Sequence, residues 1–120
     1  MFFVGFISAD EDLCHALAEQ LSQDDQWQHT VFSSLEDALA AWSDALPPLI
    51  FWDAETAPAK DDMLDFFAMR LEDKTPNPVL LVLGDAPQVI QKEGVTETLS
   101  RPLRLGYLLT RLSFYRRILQ

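Results

Sequence analysis

Residues 47–53 read Pro-Pro-Leu-Ile-Phe-Trp-Asp, and this segment indicates the architecture of the chain. An apolar run without alternating polar residues is typical of a strand that helices cover on both faces, as in parallel sheets. The run ends at Asp53, so a single carboxylate stands where the strand reaches a loop. Because ligands of open parallel sheets collect at the carboxyl ends of the strands, Asp53 is the first candidate functional residue.

Four more strands are predicted on either side of this segment, from runs of apolar, β-branched and aromatic residues. They cover residues 2–7, 27–32, 79–83 and 95–99. A turn is predicted at residues 75–78, Thr-Pro-Asn-Pro, before the fourth strand.

Five helices are predicted between and after the strands, from apolar residues that recur at helical spacing. The first opens with the capping box of Ser8 and Glu11 and ends near residue 22; the second opens with Ser33 and Glu36 and stops before Pro47. The other three are predicted at residues 60–71, from an Asp85 cap to Gly94, and at 104–119. In the third helix, the predicted apolar stripe is Met63, Phe66, Phe67 and Leu71.

Strict alternation of strands and helices predicts an α/β fold with right-handed crossovers and a doubly wound parallel sheet. For five strands and five helices we expect the order 2-1-3-4-5, whose topological switch lies between the first and third strands. The carboxyl ends of the strands should then bring several loop residues into one shallow site: Ser8, Ala9, Asp53, Leu83, Gly84, Ser100 and Arg101.

Composition narrows the possible functions. The 120 residues carry a formal charge of −10, which argues against direct nucleic-acid binding, and no run is long enough to span a membrane. The single cysteine, Cys14, excludes an internal disulfide, and with only two histidines a zinc cluster of the usual kind is excluded too. The start of the chain lacks the features of a signal peptide, so we expect a cytoplasmic protein.

Three segments together resemble the response-regulator receiver domain, the CheY-like phosphoacceptor module of two-component signalling, over the whole chain. Asp53 after Leu-Ile-Phe-Trp stands where that family carries its phosphorylated aspartate. Residues 78–82 are similar to the family's fourth strand, and Arg-Pro-Leu at 101–103 stands where Lys-Pro-aromatic is usual. The resemblance implies a flavodoxin-like receiver fold, a signalling module rather than an enzyme, and a histidine kinase as partner.

The resemblance also implies where the family's other functional residues would stand, and this chain departs from most of them. In the family, these positions hold an acidic pair for Mg²⁺, a hydroxyl residue, an aromatic switch and a lysine. Here they are Ser8 and Ala9, Leu83, Thr98 and Arg101, respectively. Only Asp10 and Asp53 remain as acidic ligands, which makes a weak Mg²⁺ site, so we expect no cofactor unless Asp53 is phosphorylated.

Two functions stay open. The first is an atypical receiver that acts as a signalling and dimerisation module, independent of Mg²⁺-assisted phosphorylation. The second is a working phosphoacceptor, phosphorylated on Asp53 by a histidine kinase, with Asp10 helping to hold the metal. A flavodoxin-like enzyme or nucleotide binder is disfavoured because the four glycines are scattered and form no phosphate-binding loop.

Arg101 suggests how Asp53 is neutralised without a metal. A guanidinium presents a planar fork that matches a carboxylate, whereas lysine is a point charge. We therefore predict that Arg101 lies within about 6 Å of Asp53 and forms a hydrogen bond with it; the alternative is that Arg101 points into solvent.

The last segment, residues 101–112, is similar to the final helix of receivers that precede a winged-helix DNA-binding domain. That resemblance implies that residues 1–120 form one domain at the N-terminal end of a longer regulator, with a homodimer through helix 4, strand 5 and helix 5. The expected interface residues are Lys92, Glu97, Tyr107, Arg111 and Arg116, with Arg117 as a further candidate. Affinity is expected to come from apolar groups such as Ile90, Leu108 and Tyr107.

Overall fold

Five parallel strands form one sheet in the order β2-β1-β3-β4-β5, with five helices connecting and following them. The computed structural model describes residues 1–74 and 77–120, so part of the turn predicted at 75–78 lies outside the described residues. The strands are β1 (Phe2–Ile7), β2 (Trp27–Phe32), β3 (Leu49–Asp53), β4 (Val79–Leu83) and β5 (Glu97–Leu99). The helices are α1 (Glu11–Leu21), α2 (Leu35–Ala41), α3 (Asp61–Asp73), α4 (Gln88–Gly94) and α5 (Leu105–Leu119). The predicted fold class and strand order are confirmed.

Two apolar layers cover the sheet. Helices α2, α3 and α4 pack on one face through residues such as Leu39, Phe67 and Ile90. Helices α1 and α5 pack on the other through residues such as Leu17 and Leu112. All five residues of β3 are buried, as the unbroken apolar run predicts for a central parallel strand. Within the described residues, no helix is long and apolar enough to cross a membrane.

Three helix starts differ from the predictions. Asp10, not Ser8, caps α1 by accepting a hydrogen bond from the Leu13 amide at 3.2 Å, because the Ser8 hydroxyl is used elsewhere. Ser34, not Ser33, caps α2 through the Asp37 amide. Helix α4 starts after Pro87 and has no side-chain cap, so Asp85 does not serve as one.

The apolar stripe predicted for α3 is wrong at one residue. Phe67 and Leu71 are buried, together with Leu64 and Ala68, but Phe66 is 41% exposed. Adjacent residues on a helix point about 100° apart, and the buried face of α3 lies on the Phe67 and Ala68 side, which turns Phe66 away from the core. Phe66 lies on the outer side of α3.

Candidate functional site

The candidate site is built around Asp53, whose side chain is 0% exposed at the carboxyl end of β3. Strand β3 lies between β1 and β4, and Asp53 is paired in register with Leu83. The loops that follow β1, β3 and β5 therefore meet over this carboxylate. An isolated carboxylate in such a position is costly unless hydrogen bonds or charges compensate it.

Neighbouring donors satisfy both oxygens of Asp53. Oδ2 accepts hydrogen bonds from the hydroxyls of Ser8 at 2.8 Å and Thr56 at 2.6 Å. Oδ1 accepts the backbone N–H groups of Glu55 and Thr56, each at 3.2 Å. The Asp53 carboxylate is thus held by the turn that follows its own strand and by the loop after β1.

Backbone amides orient the two hydroxyls. The Asp10 N–H donates to Ser8 Oγ at 3.1 Å, and the Ala9 N–H donates to Thr56 Oγ1 at 3.0 Å. Each hydroxyl accepts from the β1 loop and donates to Asp53, so its proton has a fixed direction. Ser8 is brought to Asp53 as predicted. Thr56 was missed, although an Asp followed three residues later by Thr is a pattern in which side chains bond local backbone amides.

Arg101 supplies the positive charge of the site. Its Nη2 lies 3.4 Å from Asp53 Oδ2, which confirms the predicted contact. The guanidinium does not form a two-pronged fork with Asp53, however, because its Nε donates to Glu55 Oε2 at 2.5 Å. Asp10 Oδ2 is 3.8 Å from the same Nη2. One half-exposed guanidinium therefore serves three acidic side chains, and the hydrogen bond to Glu55 is the main reason that the pKa of Arg101 is raised.

Glu55 reaches Arg101 by lying across Gly84. A Cβ at Gly84 would stand 2.7 Å from Cγ of Glu55, and Gly84 has a φ of +98°, which L-residues rarely adopt. The residue after β4 thus leaves room for the Glu55 side chain. Nothing in the local sequence around Glu55 signals this contact, because its partners are 46 residues away at Arg101 and on another strand end at Gly84.

No protein-family model matches the chain, and no curated protein matches it. Solved structures do match. The non-phosphorylated HemR receiver domain of Leptospira biflexa has a TM-score of 0.72 at 19% identity, covering 94% of this chain and 92% of its own. A CheY-like receiver domain of Methanospirillum hungatei has a TM-score of 0.70 at 12% identity, covering 96% and 93%. A chain of the Saccharomyces cerevisiae co-crystal of Ypd1 with the Ssk1 receiver domain has a TM-score of 0.69 at 13% identity, covering 92% and 85%. This chain has the receiver fold.

The residues around Asp53 do not fit the Mg²⁺ ion that the family resemblance implies. Mg²⁺ requires a near-octahedral set of oxygen ligands with open lone pairs. Asp53 already accepts five hydrogen bonds, and Asp10 Oδ1 caps α1. Across residues 1–74 and 77–120, no group of three or more His, Cys, Asp or Glu side chains could hold a metal ion. A divalent ion would have to displace Arg101 and at least one hydroxyl.

The other predicted positions of the receiver fold lie around this centre without contacting Asp53 through their side chains. Leu83 is fully buried in the layer beneath α1 and α5, and its apolar side chain offers the site no hydrogen-bonding group. Ala9 is exposed and contributes only its backbone amide. Thr98 is exposed on β5.

A second ionic cluster lies on β5 and α5. Arg111 binds the Glu97 carboxylate through Nε, 3.0 Å from each oxygen, and through Nη2 at 2.8 Å. The Tyr115 hydroxyl donates to Glu97 Oε2 at 2.5 Å, and the Tyr107 hydroxyl lies 3.5 Å from Oε1. Desolvation raises the pKa of Glu97, but the bonds from Arg111 and Tyr115 outweigh it and lower the net value. Desolvation and the contact with Glu97 raise the pKa of Tyr115.

The predicted interface residues are therefore placed as follows. Arg111 and Tyr107 both contact Glu97 within one chain, and Lys92 is exposed on α4. Arg116 instead pairs with Asp24 at 3.0 Å and stacks over Trp27.

Two apolar residues expected at a dimer interface cannot contact a partner. Ile90 and Leu108 are each 0% exposed and belong to opposite core layers. That expectation was wrong, because the amphipathic faces of α4 and α5 turn these residues toward the sheet. Of the three apolar candidates, only Tyr107 is on the surface, with 51% of its area exposed.

Proposed function

We propose that this chain is an atypical response-regulator receiver domain: a signalling module whose Asp53 site works without Mg²⁺-assisted phosphorylation. The observation that carries the proposal is the Arg101 guanidinium over a carboxylate whose oxygens already accept bonds from Ser8 and Thr56. The guanidinium of Arg101 and the two oriented hydroxyls stabilise the negative charge of Asp53, which a divalent ion would otherwise stabilise. The site stays in one state unless a partner changes it.

Electrostatics and hydrogen bonding support this reading. Phosphorylation of Asp53 would require its Oδ2 to leave the hydroxyls of Ser8 and Thr56, which would lose buried partners. Metal entry would place a divalent charge beside the fixed positive charge of Arg101. Both steps oppose the phosphoryl transfer for which a receiver site is normally used.

The alternative is a working phosphoacceptor, phosphorylated on Asp53 by a histidine kinase. One observation favours it: Asp10 and Asp53 approach the same nitrogen of Arg101, so their carboxylates lie on one side of the site. If Arg101 swings out, its guanidinium could bind the phosphoryl oxygens in the fork geometry that suits them. In that case Asp10 and Asp53 would be the residues to hold Mg²⁺.

Phosphorylation assays separate the two functions. We expect no gain of one phosphoryl mass on the intact protein after incubation with acetyl phosphate and Mg²⁺. The variant that combines Ser8→Asp, Ala9→Asp and Arg101→Lys restores the family's acidic pair and lysine and serves as the positive control. A mass gain in the wild type that is lost in Asp53→Asn would establish the phosphoacceptor function instead.

We further propose that output passes through self-association and an attached DNA-binding domain, in the cytoplasm, with no nucleic acid bound by these residues themselves. The surface proposed for a two-fold dimer comprises α4, β5 and α5, with Lys92, Glu97, Tyr107, Arg111 and Arg116 as its polar and aromatic groups. Arg111 and Arg116 are already paired with acids of their own chain. Because Ile90 and Leu108 are buried, the exposed ring of Tyr107 has to supply the apolar contact. Loss of a dimer in Tyr107→Ser, measured by sedimentation, tests this surface.

A further inference from the structure

Charge is divided unevenly along the chain. Residues 101–120 contain five arginines and no acid, whereas residues 1–100 contain four basic and nineteen acidic residues, a formal charge of −15. Three of the five arginines pair with acids of the same chain: Arg101, Arg111 and Arg116. Arg104 and Arg117 are exposed and form no ion pair within the described part of the chain.

A groove runs between α2 and α3, and we call it the acidic groove after the carboxylates that lie beside it. It has a volume of about 360 Å³, and Glu36, Leu39, Met63, Phe66 and Arg70 contribute to its lining. Phe66 is 41% exposed. The lining itself carries one acid, Glu36, and one base, Arg70; the guanidinium of Arg70 lies 6.0 Å from the centroid of the Phe66 ring, and its Nη2 donates to the Trp42 carbonyl.

Acids flank Phe66 along α3, beside the lining of this groove. Along the outer side of α3, Asp62, Phe66, Met69 and Asp73 recur at intervals of three or four residues, so they form one stripe. Met69 is 58% exposed. Among residues 1–74 and 77–120, Asp62 and Asp73 form no ion pair.

A basic hollow of similar size lies on α5. Leu109, Thr110, Ser113, Phe114 and Arg117 line its volume of about 380 Å³. Phe114 is 41% exposed. The basic hollow shares only Arg117, the further candidate, with the expected two-fold surface; Lys92, Glu97, Tyr107, Arg111 and Arg116 lie outside its lining.

We propose that the basic hollow of one chain docks into the acidic groove of a second copy. The two surfaces match in apolar character and oppose each other in charge, which steers association and fixes its orientation. Contact of each surface with itself is disfavoured, because Arg117 would face Arg117, and Asp62 and Asp73 would face the same acids.

Topology makes this contact head to tail. Helices α2 and α3 cover one face of the sheet and α5 covers the other, so one chain cannot join its own two surfaces. A docked pair therefore still offers one free groove, on one copy, and one free hollow, on the other. A heterologous contact of this kind builds rings or open filaments rather than a two-fold dimer. It goes beyond the proposed function and does not depend on the state of Asp53.

Complementation between two defective variants tests the proposal. Phe66→Lys places a positive charge in the acidic groove, and the pair Phe114→Ser with Arg117→Ser removes the ring and the charge of the basic hollow. Wild-type chain should show a mass in sedimentation that rises with concentration beyond a dimer. Made in the Tyr107→Ser background, which removes the proposed two-fold dimer, each variant alone should associate at least about tenfold more weakly than Tyr107→Ser itself. An equimolar mixture should form a 1:1 complex, since each variant still holds one intact surface.

Control variants distinguish the head-to-tail contact from the two-fold surface. Tyr107→Ser removes an exposed ring on the same helix outside the basic hollow and should leave head-to-tail association unchanged. Met69→Lys provides a second variant, on the α3 stripe beside the acidic groove, in case Phe66→Lys fails to fold. A wild-type chain that stays monomeric, or a dimer that Tyr107→Ser abolishes and Phe66→Lys does not affect, would overturn the proposal. Neither result bears on whether Asp53 can be phosphorylated.

Discussion

Asp53 and Glu97 are two carboxylates that each meet an arginine and a hydroxyl, but their surroundings differ. Asp53 is 0% exposed, and its arginine lies 3.4 Å away and is shared with two other acids. Glu97 has 21% of its side chain exposed, and Arg111 binds both of its oxygens. A close ion pair with Arg111 stabilises the Glu97 carboxylate, whereas neutral donors supply most of the hydrogen bonds to Asp53. The hydroxyls and backbone amides around Asp53 therefore contribute more to the stability of its carboxylate than the charge of Arg101 does.

The largest difference between the two sites should appear when each carboxylate is replaced by its amide. In Asp53→Asn, the new NH₂ group would face hydroxyls and amides that already act as donors, so we expect unfolding free energy to fall by about 2–3 kcal/mol. In Glu97→Gln, an NH₂ group at the Oε1 position faces the exposed Tyr107 hydroxyl, which can turn to accept from it, so we expect a loss of about 1 kcal/mol or less. Urea unfolding followed by tryptophan fluorescence measures both. Equal losses would show that burial does not distinguish the two sites.

A smaller effect is expected from the hydroxyl that the sequence did not reveal. Thr56→Val keeps the shape of the side chain, but it removes the 2.6 Å bond to Asp53 and the acceptor for the Ala9 amide. We expect a loss of about 1–2 kcal/mol. Thr110→Val is the matched control, since the Thr110 hydroxyl bonds only the Gly106 carbonyl on an exposed part of α5. A loss no larger than in this control would contradict the role of Thr56.

The smallest effect is a dependence of stability on pH at Glu97. Its pKa lies below the ordinary value of 4.5, so the folded state holds the charged form more strongly than the unfolded chain does. This contribution is fully present above pH 4.5 and is lost as pH falls through the lowered pKa. The difference in unfolding free energy between wild type and Glu97→Gln should therefore be constant near neutral pH and shrink below about pH 4.5. A difference in unfolding free energy that widens on acidification would contradict the lowered pKa of Glu97.

The sequence was a good guide to elements and a partial guide to the site. The buried run ending at Asp53 and the alternation of strands with helices predicted the sheet and its order, because both follow from local apolar patterns. Ser8 and Arg101 were predicted at the site because strand ends in a parallel sheet meet at one edge. The predicted helix cap at Ser8 was wrong because the sheet brings Asp53 close to the Ser8 hydroxyl. A capping pattern is local in sequence and cannot show that a residue 45 positions away binds the same hydroxyl.

Sequence alone determined that this chain forms a five-stranded parallel α/β sheet with one carboxylate at its switch point, since hydrophobic periodicity and chain connectivity are properties of the order of residues. Only the tertiary structure decided that Thr56 and Glu55 complete the site, that Gly84 makes room for Glu55, and that Glu97 and Arg111 pair within one chain. These contacts depend on distances of a few ångströms between separate strand ends and helices. Packing of the two core layers against the sheet sets those distances.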